Sequence, residues 1–194
     1  MSIFEQAQHD AIATIQSLGA LQAAHERAAE AVGQCLVNGG KLLVCGNGGS
    51  AADAADFATE FTCRFMNDRR PYPALNLAGC GSLLTATGND YGFEEVFARP
   101  VRAFGKKDDV LVAISTSGNS TNILSAIAAA NIAGLQTIAL LGRDGGRARG
   151  LAQHELIVPI SITARIQEAH KFLLHVLCEI VEARWLQPER SAKE

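Results

Sequence analysis

Five short apolar runs, each closed by a glycine-, serine- or proline-bearing turn and parted from the next mostly by helical composition, constrain this chain more than any other feature. Lys41-Leu42-Leu43-Val44-Cys45 is entered through Gly39-Gly40 and ended by Gly46-Asn47-Gly48-Gly49. Pro73–Ala78, Asp109–Ile114, Gln136–Leu141 and Glu155–Val158 repeat the pattern. Runs of this length with no polar alternation are what a strand covered on both faces requires. Between and around them, helical spacing covers residues 3–38 with a break at Leu18-Gly19, then 50–66, 94–104, 120–133 and 163–186. Alternating strand and helix predicts an α/β protein: a three-layer, doubly wound fold with a five-stranded parallel sheet. No linker or repeat divides the 194 residues, so one domain is expected over 1–194. Residues 1–38 would form an N-terminal helical arm, packed on the domain or on a neighbouring subunit.

Composition narrows the function classes. Seventeen Lys and Arg against 20 Asp and Glu give a formal charge of −3, which offers no cationic footprint for nucleic acid. No window approaches the roughly 18–20 apolar residues of a membrane span. The first residues, Met1-Ser2-Ile3-Phe4-Glu5-Gln6, lack the basic and apolar regions of a signal peptide. A cytoplasmic chain is expected. The five cysteines form no C-x-x-C pair and read as small buried apolar residues in a reducing compartment.

In a doubly wound sheet, ligands gather beyond the carboxyl ends of the strands. The turn after the first run, Gly46-Asn47-Gly48-Gly49-Ser50-Ala51, matches the G-x-G-x-x-A dinucleotide pattern. A nicotinamide site also wants an acidic residue after the second strand, and Leu75-Asn76-Leu77-Ala78-Gly79 has none, so no nucleotide cofactor is expected. No Gly-Lys-Ser/Thr triplet supports a P-loop. The turn after the third run is more telling. Ser115-Thr116-Ser117-Gly118-Asn119-Ser120 places four hydroxyls at the start of a helix, with Ser120 as its N-cap. Turn chemistry accounts for one or two of these hydroxyls, not four. Free backbone N–H groups at the positive end of a helix, joined by hydroxyls, make a phosphate site without lysine. At roughly 1.5–3 kcal/mol for each charge-assisted hydrogen bond, three or four would hold a monophosphate.

Four segments together, Cys45–Ala54, Gly88-Asn89-Asp90-Tyr91-Gly92, Ile114–Ser120 and Arg165-Ile166-Gln167-Glu168-Ala169-His170, resemble the sugar-isomerase (SIS) domain in the pattern of bacterial phosphoheptose isomerases. The resemblance spans nearly the whole chain. It implies conversion of sedoheptulose 7-phosphate to D-glycero-D-manno-heptose 7-phosphate for envelope heptose synthesis, in a homotetramer with sites completed between subunits. By position it implies substrate contacts from Asn47, Gly48, Gly49, Ser50, Arg64, Asn89, Asp90, Ser115, Thr116, Ser117, Ser120 and Gln167. Two other readings stay open: a non-catalytic SIS protein that binds a protein partner, like replication-initiator-associating proteins, and an isomerase of another phosphosugar.

Aldose–ketose isomerisation needs one group for the carbon-bound proton and another for the oxygens. Asp53, Asp56 and Glu60 form a stripe at i, i+3 and i+7 that could be a solvated helix face. Glu60, however, sits within Phe57-Ala58-Thr59-Glu60-Phe61-Thr62-Cys63, too apolar for such a face. His175, within Phe172–Cys178, reads on its own as a core histidine. The resemblance instead makes Glu60 and His175 the acid/base pair. It also implies one Zn2+ per subunit on a His-Glu-Gln-His set, matched here by Asp56, Glu60, Gln167 and His175. Asp56 departs from that set, with a shorter reach and an added negative charge. Gln167 and His175, eight residues apart, are separated by about 12 Å on an ideal helix.

Overall fold

The computed structural model describes residues 1–186. Its element order is α1 (Ile3–Ser17), α2 (Gln22–Val37), β1 (Leu42–Gly46), α3 (Gly49–Thr62), β2 (Ala74–Asn76), α4 (Gly81–Tyr91), α5 (Ala98–Phe104), β3 (Val110–Ser115), α6 (Thr121–Ala133), β4 (Gln136–Gly142), β5 (His154–Val158) and α7 (Thr163–Arg184). The five strands are parallel, in the order β2-β1-β3-β4-β5. The register pairs Val44 with Val112 and Gly46 with Ile114, so β1 and β3 end side by side.

Every residue of β1 and β3 is buried, which explains their unbroken apolar runs. The period of two distributes them between two cores. Leu42, Val44, Val110, Val112 and Ile114 face a cluster with Phe57 and Phe61 of α3, Ala28 and Val32 of α2, and Leu173 and Leu177 of α7. Leu43, Cys45, Leu111 and Ala113 face the other, with Val101 of α5 and Ile123, Ala126 and Ile127 of α6. The sheet is thus the middle of three layers.

The N-terminal arm breaks where expected, at a 3-10 turn over Leu18–Leu21. It lies against α7, where Arg165 donates to the Ala7 carbonyl (2.5 Å) and the His25 Nε2 meets the Leu173 carbonyl (2.8 Å). The second strand spans only Ala74–Asn76, half of the predicted run, and lies at the sheet edge with β1 as its one partner. Helix α4 is absent from the sequence reading. Its Gly81, Gly88, Asn89 and Asp90 are poor helix formers, and the Thr85 hydroxyl turns back on the Gly81 carbonyl at 2.9 Å. Of the cysteines, Cys35, Cys45 and Cys178 are buried as expected, but Cys63 and Cys80 are exposed. Among the described residues, no helix is long and apolar enough to cross a membrane.

Candidate functional site

The strand order reverses between β1 and β3, and the two unusual turns of the sequence leave the sheet at that point. The side chains of Asn47 and Asn122 join them by a reciprocal amide pair, each Nδ2 donating to the other Oδ1 at 2.9 Å. Asn122, buried in the first turn of α6, was not visible as a site residue in the sequence. Its signal is the amide itself: a buried Asn requires partners.

The hydroxyl turn is tightly folded. Ser115 Oγ accepts the Gly118 N–H at 3.1 Å, and Ser117 Oγ accepts that of Asn119 at 3.2 Å. Gly118 has a φ of 63°, and a Cβ there would lie 1.9 Å from the Gly145 carbonyl oxygen. Only glycine fits. Asn119 is structural as well, since its Oδ1 accepts the Arg147 N–H at 3.0 Å and its Nδ2 donates to the Ser117 carbonyl. Ser120 occupies the N-cap of α6 as predicted, yet its hydroxyl makes no capping bond. The hydroxyls of Ser115 and Ser117 thus serve as acceptors within the turn while their protons remain free to donate, and α6 presents its uncapped N-terminus beside them.

The second half of the site is a ladder between α3 and α7. Both helices start at the carboxyl edge of the sheet, so they run parallel. At the first rung, Gln167 covers the start of α3 so closely that a Cβ on Gly49 would fall 2.2 Å from its Nε2. At the second, the Lys171 ammonium lies 3.0 Å from Asp53 Oδ1 and 2.6 Å from Asp56 Oδ2. Half-burial works against that charge, but the hydrogen bonds to Asp56 and Asp53 outweigh it and hold the Lys171 pKa above its ordinary value. Beyond it, Glu60 in the last turn of α3 lies near enough to Cys178 of α7 to act on its charge. The Cys178 thiol is pushed well up, first by burial and then by the Glu60 carboxylate nearby. The His175 ring packs 5.9 Å from that of Phe65.

The end of α3 is anchored from below. Arg69 donates to the carbonyls of Glu60 (2.5 Å) and Phe61 (3.1 Å) and pairs with Glu182 of α7 at 3.0 Å. Glu182 in turn accepts the backbone N–H groups of Met66 and Asn67, both at 3.1 Å. This buried pair escaped the sequence reading because 113 residues separate its members.

Other expected site residues lie apart. Asn89 and Asp90 are exposed at the end of α4, where they hydrogen-bond each other at 2.8 Å. Arg64 is exposed beyond α3 and reaches the Phe65 carbonyl at 3.4 Å. Gly48 and Gly49 are open to solvent and Ser50 is buried behind them.

The residues do not fit a zinc ion. Asp56 is engaged by an ammonium at a distance that leaves no room for a metal between the two. Among the described residues, no three His, Cys, Asp or Glu side chains are grouped to hold a metal. Gln167 and His175 are eight residues apart on α7, with Lys171 between them.

The SIS-domain family model matches residues 8–142. A phosphoheptose isomerase from Helicobacter pylori (strain P12) is 48% identical over 167 residues, 86% of this chain and 87% of that protein. The chain belongs to the SIS-domain family, among its phosphoheptose isomerases. Solved structures of the SIS enzymes agree. Phosphoheptose isomerase from Neisseria gonorrhoeae superposes with a TM-score of 0.87 at 45% identity, covering 94% of this chain and all of that one. The phosphoheptose isomerase of Francisella tularensis gives 0.90 at 39% identity, covering 95% and 100%. The SIS fold of these enzymes is therefore carried over nearly the full chain.

Proposed function

We propose that this chain isomerises sedoheptulose 7-phosphate to D-glycero-D-manno-heptose 7-phosphate through an enediol, with Glu60 and His175 as the acid/base pair. The phosphate would sit on the Ser115–Ser120 turn, held by backbone N–H groups, by hydroxyls of Ser115, Thr116, Ser117 and Ser120, and by the N-terminal end of α6. Asn47, Gly48, Gly49, Ser50 and Gln167 would line the adjoining sugar. Of the acid/base pair, one group takes the proton from C1 and returns it to C2, and the other carries the proton between O1 and O2. What supports the reading is that Glu60 of α3 acts on Cys178, which lies three residues beyond His175 on α7.

A homotetramer with shared sites is part of the proposal. Glu60 lies eleven residues beyond Gly49 on α3, about 16 Å along the helix. With the sugar lined at Gly49, that separation favours a site in which a neighbouring subunit supplies part of the lining. Exposed Ile3, Phe4, Ile12 and Phe172, on α1 and α7, offer apolar surface for such assembly. Arg64, Asn89 and Asp90, exposed in the single chain, would then join a site formed with a neighbour. The compartment consistent with this metabolism is the cytoplasm.

The test is incubation of the pure protein with sedoheptulose 7-phosphate, with the aldose product followed by NMR. Glu60→Gln and His175→Gln should each lower turnover by roughly 10² or more with the fold intact by circular dichroism. Undiminished turnover in both variants would sink the assignment. No turnover by the unaltered protein would favour a binding role.

A further inference from the structure

The second rung of the ladder has no part in binding or proton transfer as described above, yet it lies beside both. Asp56 precedes Glu60 by four residues on α3, and Lys171 precedes His175 by four on α7. Residues four apart on a helix are neighbours on one face. Lys171 is therefore one helical turn from His175, and Asp56 one turn from Glu60, on the facing helices. The Lys171 ammonium is fixed there by two carboxylates from α3, at 3.0 and 2.6 Å. An ammonium has three N–H donors, and Asp53 and Asp56 occupy two of them.

We propose that Lys171 is the built-in cation of this site, that it stands where a metal ion would otherwise be held, and that the isomerase works without zinc. The inference rests on the isomerase reading. Asp56 and Lys171 act together: the carboxylate that departs from a His-bearing ligand set holds an ammonium, and the ammonium fills the place between Gln167 and His175. The remaining N–H is free for a substrate oxygen. During enolisation the oxygen next to the reacting carbon gains negative charge, and a fixed cation one turn away stabilises it without having to reorganise. No electron moves to or from Lys171, and its proton stays on nitrogen.

Three measurements test this on the full-length protein. Metal analysis of purified protein and calorimetric titration with Zn2+ should both give far less than one zinc per chain, and EDTA should leave turnover unchanged. Lys171→Met should lower kcat by roughly 10² with little change in KM, because the charge it meets develops only in the transition state; Lys171→Arg should recover part of the loss. The double variant Asp56→His/Lys171→Met should gain about one zinc per chain, read by metal analysis independently of activity. Stoichiometric zinc in the unaltered protein, or chelator-sensitive turnover restored by zinc, would overturn the inference. So would undiminished kcat in a folded Lys171→Met. If the Lys171 variants do not fold, zinc content and chelator response of the unaltered protein decide. If the unaltered protein isomerises nothing, the isomerase reading fails, whereas zinc binding by the unaltered and double-variant proteins still tests the Lys171 inference.

Discussion

Replacing Arg69 by methionine should be the most damaging single change outside the proposed acid/base pair. The guanidinium and Glu182 are both almost wholly buried, at 1% and 3% side-chain exposure. Removing one member of a buried pair costs roughly 3–5 kcal/mol, because the other charge stays buried without its partner. For a chain of this size each kcal/mol lowers Tm by about 2–4 °C, so the midpoint should fall by roughly 6–20 °C. The damage should also reach catalysis. Without Arg69, the Glu60 and Phe61 carbonyls lose their donor, and the last turn of α3, which carries Glu60, is no longer tied to α7. Adding Glu182→Gln separates the effects. Glutamine keeps an oxygen for the Met66 and Asn67 N–H groups but carries no charge, so the double variant should regain about half or more of the lost stability. Its kcat should remain low, since the carbonyl anchors are still gone. Urea and thermal melts of the parent, both single variants and the double variant, with turnover measured on each, give the full cycle. A loss below about 1 kcal/mol for Arg69→Met, or strictly additive single effects, would refute the argument.

Two further outcomes follow from the site and its floor. His170 is fully buried, with burial lowering its pKa from the ordinary 6.5. The unfolded chain therefore binds a proton near pH 6.5 that the folded chain resists. Its contribution to stability is present above pH 6.5 and is lost as pH falls through the depressed folded value. His170→Gln should flatten this part of the profile of urea midpoints between pH 8 and 5, and an unchanged slope would exclude His170 as its source. Asn122→Ala breaks the amide pair between the two site turns, leaving the half-buried Asn47 amide without that partner. A stability loss of about 1–3 kcal/mol and a raised KM for the phosphosugar should result, measured by melts and steady-state kinetics.

Much of the architecture was legible because it depends on local composition. Leu42–Gly46 and Val110–Ser115 are apolar at every strand position that both layers must cover, and their turns carry the residues that turns demand. Helix α4 was not legible. Two glycines, three threonine or serine residues and Asn89-Asp90 contradict local helix propensity. Packing of partly buried Leu84 against the core beside α5 and α6, with Thr87 buried in the same helix, justifies it. Within the turn after β3, four hydroxyls stand out in the sequence as one group, but the folded turn gives Ser115 and Ser117 a second duty as acceptors for their own backbone.

The α3–α7 ladder marks the boundary most clearly. From the sequence alone, Asp53, Asp56 and Glu60 share a helix face, and Gln167 and His175 are too far apart along their helix for both to reach one ion without convergence. Those facts follow from helical geometry, which a sequence fixes over a few turns. That Lys171 enters between them, and that Arg69 reaches Glu182 across 113 residues, depends on which helix lies beside which. No local period encodes that choice. It is decided by burying the apolar faces of α3 and α7 against the same side of one sheet, and the charged side chains take the partners that this packing leaves within reach.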